Sequence, residues 1–174
     1  MARSSISASP GTPDFMAALL IGFGNQGRGD DGLGPLFAER IERAAPEGLE
    51  IDIDYQLTVD HALIAAEADL VIFADAEIGA EGEFSFRPVA AEGAVGMGSH
   101  ELSPQAVLTL AKTLYGAEPP AYILGIAGWD YGEVKEGLSP EAAAHLDAAE
   151  AFFLDWYART ANGRNGSAER FADA

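Results

Sequence analysis

The sequence predicts a single three-layer α/β/α domain built on a mostly parallel, twisted sheet. Three observations predict it. Short apolar runs of strand length alternate with helix-length segments whose apolar residues recur at helical spacing. With 174 residues, 48% of them hydrophobic, the chain has material for one sizeable core. Finally, the first apolar run breaks into a glycine-rich loop carrying two adjacent carboxylates, an arrangement suited to the C-terminal edge of an open sheet, where ligands bind.

Residues 1–16 are rich in Ser, Pro and Gly and read as a disordered leader. The domain proper is expected over 17–159, with 160–174 a polar, disordered tail. The run around Leu19, Leu20 and Ile21 reads as a buried first strand over about 17–23. Gly34-Pro35 opens the first helix, because proline lacks the N–H that would go unpaired there. That helix runs to about Ala45 with Leu36, Phe37 and Ile41 toward the sheet, and Pro46-Glu47-Gly48 stops it. Leu49 to Tyr55 alternates apolar and acidic, as in a strand with one wet face near a sheet edge. Thr58 is placed to cap a short helix over 59–67. Leu70 to Asp75 reads as a strand buried on both faces that ends in a carboxylate, and Gly82 to Val89 as an antiparallel edge strand. A glycine-rich connection, Ala91 to Gly98, leads to Ser99-His100. Ser103-Pro104 caps a helix that ends at Gly116, with Ala106, Val107, Leu110 and Leu114 as its apolar stripe. Ala121 to Ile126 is another buried strand. Ser139-Pro140-Glu141 starts a last helix that reaches about Tyr157 and turns Leu146, Ala149, Phe153 and Trp156 inward.

Composition narrows the function. Ten basic residues against 28 acidic ones give a net charge of −18, the wrong sign for nucleic acid or an anionic membrane surface. The absence of cysteine excludes disulfides, a thiolate nucleophile and a Cys-ligated metal. No apolar run reaches transmembrane length, so a soluble, cytoplasmic monomer is expected.

Gly22-Phe-Gly-Asn-Gln-Gly27 formally fits the dinucleotide pattern G-x-G-x-x-G. In that motif a helix starts within the glycines and turns its N-terminus to a pyrophosphate. Here the chain runs on through Arg28-Gly-Asp-Asp-Gly-Leu-Gly34 and puts two carboxylates where phosphate would lie. Dinucleotide binding is therefore a minor alternative. Asp30 and Asp31 also have a plain reading as turn residues near a helix start. Asp75, at a neighbouring strand's end, tips the balance, since half-buried carboxylates need a metal or proton donor as partner. His100 stands at a third strand–helix junction. A carboxylate of the Asp30-Asp31 pair, with Asp75 and His100, forms an O,O,N set suited to a divalent transition metal, with coordination positions left open. His61 reads as a surface residue and His145 as the helix-face partner of Glu141. Glu77 is a possible auxiliary ligand, though a loop carboxylate is more often solvated. Ser99 has no nucleophile-elbow context.

Taken together, Gly22-x-Gly24-Asn25, Asp30-Asp31-Gly32-x-Gly34, Val71-Ile-Phe-Ala-Asp75-Ala76 and Ser99-His100-x-Leu-Ser-Pro resemble the hydrogenase maturation proteases, as do Gly125-Ile126 and Leu138-Ser139-Pro140. The resemblance covers about 18–157. It implies an endopeptidase that trims the C-terminus of the large-subunit precursor of a nickel–iron hydrogenase. It also implies that Asp31, Asp75 and His100 are both the metal-contacting and the catalytic residues, with nickel carried by the substrate and no resident cofactor. Some members have Glu where this chain has Asp31, and Gln26-Gly-Arg-Gly29 is less apolar than usual. Gln56-Leu-Thr-Val-Asp60-His61 is similar to the subgroup serving bidirectional NAD-linked hydrogenases. A non-catalytic nickel-checking domain with the same ligands is the alternative function.

Overall fold

The computed structural model describes residues 17–92, 102–132 and 134–169, the last seven of these by backbone alone. The leader and His100 lie outside these ranges. Strand β1 (Ala18–Phe23) is followed by a single 3-10 turn over Gly29–Gly32, then by helix α1 (Leu33–Ala44), β2 (Leu49–Asp54) and α2 (His61–Glu67). Strands β3 (Leu70–Ile78) and β4 (Phe84–Val89), helix α3 (Pro104–Tyr115), β5 (Ala121–Gly128) and α4 (Pro140–Glu169) complete the order.

The sheet order is β2-β1-β3-β5-β4, with every pairing parallel except β4 against β5. Strict alternation along the central strands sends residues to two cores. Leu20, Ile72, Ala74, Leu124 and Ile126 pack under α1 and α4, against Phe37, Ile41, Leu146 and Phe153. Leu19, Ile21, Val71, Phe73 and Ile123 pack on the other face, against Ala65 of α2 and Val107 and Leu108 of α3. Each fully buried large side chain contributes about 1.5–3 kcal/mol. The three layers and the antiparallel edge strand are as the sequence predicts.

The caps act as their chemistry requires. The Ser103 hydroxyl accepts the Ala106 N–H at 3.1 Å, Pro104 follows it, and Gly116 closes α3 at φ 68°. Between α1 and α4, the Arg40 guanidinium bridges Asp147 at 2.5 Å and Glu150 at 3.0 Å. At the antiparallel edge, Phe86 stacks on Tyr122 and meets Phe152 and Trp156 of α4.

Several details differ from the sequence reading. The inner face of α3 is Val107, Leu108 and Ala111, while Leu114 is 59% exposed. Thr58 does not cap α2, whose N-cap is Asp60 without a side-chain bond; its hydroxyl meets the His61 ring instead. Helix α4 continues past Tyr157 to Glu169, with no proline to stop it and an Arg159–Asp155 pair one turn apart.

Candidate active site

Strand β1 lies between β2 and β3, so the chain leaves β1 toward one side and returns past it to the other. Loops after β1 and β3 therefore diverge at the C-terminal edge, and a crevice opens between them. A cleft of about 160 Å³ occupies that crevice, and Asn25, Arg28, Asp31, Tyr55, Asp75 and Leu102 are among its walls. Asp31 and Asp75, from different strand ends, thus share one open site. Leu102 brings the chain to the same cleft two positions after His100 in sequence. His100 itself lies outside the described residues. Among the described residues no group of three His, Asp or Glu side chains is arranged to hold a metal ion.

The backbone explains how Asp31 is aimed. Gly24 adopts φ 141°, and a Cβ there would lie 2.2 Å from the Asp31 carbonyl oxygen. Gly34 lets the start of α1 settle on the sheet, since a Cβ at that position would meet the Phe23 oxygen at 2.3 Å and that of Ala74 at 2.5 Å. Bare backbone at both points presses the 3-10 turn onto the ends of β1 and β3. The Asn25 N–H donates to Asp31 Oδ2 at 3.1 Å, which fixes that carboxylate at the mouth of the first loop. Asp75 follows the parity of Val71 and Phe73, which places it on the α2–α3 face; its Oδ1 accepts the Ala76 N–H at 2.7 Å.

The adjacent carboxylates have opposite fates. Asp30 is fully buried. Its Oδ2 accepts N–H bonds from Trp129 at 2.9 Å and Asp130 at 2.8 Å, and the Ser139 hydroxyl at 2.9 Å. Its Oδ1 accepts the Ser139 N–H at 2.7 Å. Burial pushes the Asp30 carboxyl up, but these bonds to its charged form outweigh burial and hold it below the ordinary carboxylate value. Asp30 is a clamp that ties the 3-10 turn to the β5–α4 loop. Sequence reasoning saw a pair and missed this division, because turn chemistry favours Asp at both positions.

Glu77 is half-buried and is not among the residues that line the cleft. It leans across the space left by Gly125, where a Cβ would lie 2.4 Å from its carboxylate, and bonds Ser85 and Arg87 of β4. His61 is not a surface residue: it is 3% exposed. Its Nδ1 accepts the Thr58 N–H at 2.9 Å, so Nε2 carries the proton and faces Asp52 at 3.2 Å. The alternating acidic residues of β2 were the signal that a buried partner stood beside them. His145 does not pair with Glu141 but turns inward, its Nδ1 2.9 Å from the Ala127 carbonyl and its ring beside Trp129. Tyr131, unremarked in the sequence reading, has a buried hydroxyl with no hydrogen-bond partner among the described residues. Burial first, then the charges of Asp30, Asp75 and Asp31, push this phenol up to about 12.

With this geometry in view, solved structures resemble the chain closely in architecture. The [NiFe] hydrogenase maturation protease HycI of Thermococcus kodakarensis superposes with a TM-score of 0.63 at 20% identity, covering 82% of this chain and 92% of that one. The fold is that of the hydrogenase maturation proteases. The hydrogenase maturating endopeptidase HybD of E. coli gives a TM-score of 0.62 at 22% identity, over 83% of this chain and 94% of its own. A hydrogenase 2 maturation peptidase from a Thaumarchaeota archaeon gives 0.59 at 22% identity, over 80% and 97%. No protein-family profile and no curated protein matches the chain. The resemblance carried by the glycine and aspartate motifs thus extends to the maturation-protease architecture.

Proposed function

We propose that this chain is an endopeptidase that removes a C-terminal peptide from the precursor of a nickel–iron hydrogenase large subunit. One observation carries the reading: Asp31 and Asp75 converge on a single open cleft at the switch point of a maturation-protease fold. The solved neighbours named as maturation endopeptidases support it. Asp31, Asp75 and His100 are assigned to the nickel that the precursor already carries, which makes the metal part of the substrate.

Chemically, water adds to the carbonyl carbon of the bond to be cut, the C–N bond breaks, and the departing amine takes a proton. Either a carboxylate of the cleft accepts the water's proton or the substrate's nickel polarises that water. Arg28, a cation in the cleft wall, would face the oxyanion side of such a reaction. Among the described residues no helix is long and apolar enough to cross a membrane, and a cytoplasmic, monomeric processing enzyme is part of this proposal.

The test is to incubate the chain with candidate precursors, loaded with nickel or free of it, and to weigh the products by mass spectrometry. The expected result is loss of the C-terminal peptide from the nickel-loaded form only. Intact precursor in both samples overturns the peptidase reading in favour of a nickel-checking binder. Equal trimming of both overturns the role of nickel.

A further inference from the structure

The loop between β5 and α4 is bound to the first loop along most of its length. The Gly29 N–H donates to the Lys135 carbonyl at 2.7 Å, the Asp30 N–H to that of Asp130 at 2.8 Å, and the Lys135 N–H to that of Gly27 at 2.9 Å. The Asp30 clamp adds the bonds from Trp129, Asp130 and Ser139, and the Arg28 guanidinium donates to the Tyr131 carbonyl at 3.3 Å. Gly29 takes φ 61° at the crossing, where a Cβ would lie 2.4 Å from the Asp130 oxygen. The loop is thereby fixed to the segment that carries Asp31. Arg28 belongs both to this contact and to the cleft wall.

What so firmly held a loop presents to solvent is apolar. Trp129 is 61% exposed and Val134 92%. Ile78, in register with Gly128 at the end of β3, is 77% exposed. The Lys135–Asp130 ion pair at 2.7 Å closes the loop on itself and brings the neighbours of that pair, Trp129 and Val134, to one stretch of rim. The His145 ring, 5.2 Å from the indole, steadies it. Single exposed apolar side chains are ordinary, but three on one rigid rim mark a contact surface. Because the loop is already ordered, docking on it costs little further entropy.

Size and charge select the occupant. A precursor that already holds its metal is folded around it. A specific contact between folded proteins covers about 800 Å² on each partner, far more than a cleft of about 160 Å³ supplies. Surface beyond the cleft is needed, and this rim is continuous with it through Arg28. A second copy suits the rim poorly: two chains of net charge −18 repel each other, and three side chains are too small an area for a permanent dimer.

We propose that Ile78, Trp129 and Val134 form a docking face for the body of the precursor, meeting an apolar patch beside the segment that enters the cleft. The proposal rests on the peptidase reading and names the surface that holds its substrate. The test compares the wild type with the Trp129→Ser/Val134→Ser double variant and with Val134→Ser alone, after thermal melts to verify folding. Trimming of nickel-loaded precursor is followed by mass spectrometry over a range of precursor concentrations. The double variant should lose about tenfold in kcat/KM and Val134→Ser about threefold, both carried by KM. Should the double variant melt early, Val134→Ser, altered at a side chain that is almost wholly in solvent, carries the test alone. An unchanged KM, or a loss carried by kcat, overturns the docking face.

If the wild type trims no precursor, the peptidase reading fails on its own, and calorimetric titration of the same precursor into the chain decides the docking face. Binding by the wild type that weakens about tenfold in the double variant supports it. Equal affinity for both, or no binding by the wild type, overturns it. Sedimentation of each protein alone covers the other occupant. A wild-type dimer that the double variant turns into a monomer assigns the face to a second copy and overturns the proposal.

Discussion

Replacing Asp30 by Asn keeps the shape of the side chain and removes its charge. Four donors converge on this carboxylate: the N–H groups of Trp129, Asp130 and Ser139, and the Ser139 hydroxyl. Hydrogen bonds to a charged acceptor are worth about 1.5–3 kcal/mol each, less when summed because they share one group. The asparagine NH₂ would also face N–H donors, leaving at least one of them unpaired at a cost of about 1–3 kcal/mol. A net loss of about 3–5 kcal/mol follows, and a drop in Tm on the order of 10 °C for a domain of this size. The pH dependence has a definite sign. Because Asp30 is held below the ordinary carboxylate value, its contribution is complete above the unfolded value of about 3.9 and fades as pH falls through the lower folded value. Calorimetric melts at pH 7 and at pH 3 are the assay. The wild type should lose more stability on acidification than the variant. A variant that melts within 2 °C of the wild type at pH 7, a threshold set by the estimate of about 2–4 °C per kcal/mol, refutes the clamp.

Tyr131→Phe should leave stability unchanged or slightly raised, since the hydroxyl lost has no partner among the described residues. In the wild type this phenol should titrate near 12 by ultraviolet absorbance, about two units above an ordinary tyrosine, and a free-tyrosine value would contradict its burial. Gly24→Ala places a Cβ 2.2 Å from the Asp31 oxygen at a positive φ. It should cost about 1–3 kcal/mol in urea unfolding and slow trimming at least tenfold by displacing Asp31. His61→Ala should destabilise by about 1–3 kcal/mol, where a surface histidine would cost under about 0.5 kcal/mol, and chemical denaturation separates the two.

Hydrophobic period exposed most of the fold. Leu19 to Ile21, Leu70 to Ala74 and Ala121 to Ile126 are each too apolar to have a wet face, and that fixes the middle of the sheet. The acidic alternation of Leu49 to Asp54 marked an edge, and β2 is one. Cleft residues were legible where a carboxylate ended such a run, as Asp75 does. What period cannot reveal is direction within a turn. Asp30 and Asp31 are neighbours of identical chemistry, and only the bonds from Trp129, Asp130 and Ser139 to the 3-10 turn tell the clamp from the cleft residue. His61 was misjudged for a similar reason: its burial comes from Asp52 and Thr58, not from an apolar context.

The most direct test of the account is the mass of nickel-loaded precursor after incubation with Asp31→Asn and with Asp75→Asn, each shown to melt like the wild type. Both variants should return the precursor at full mass while the wild type shortens it. Shortening by either variant at the wild-type rate would contradict the claim that these two carboxylates, meeting in one cleft, carry the reaction.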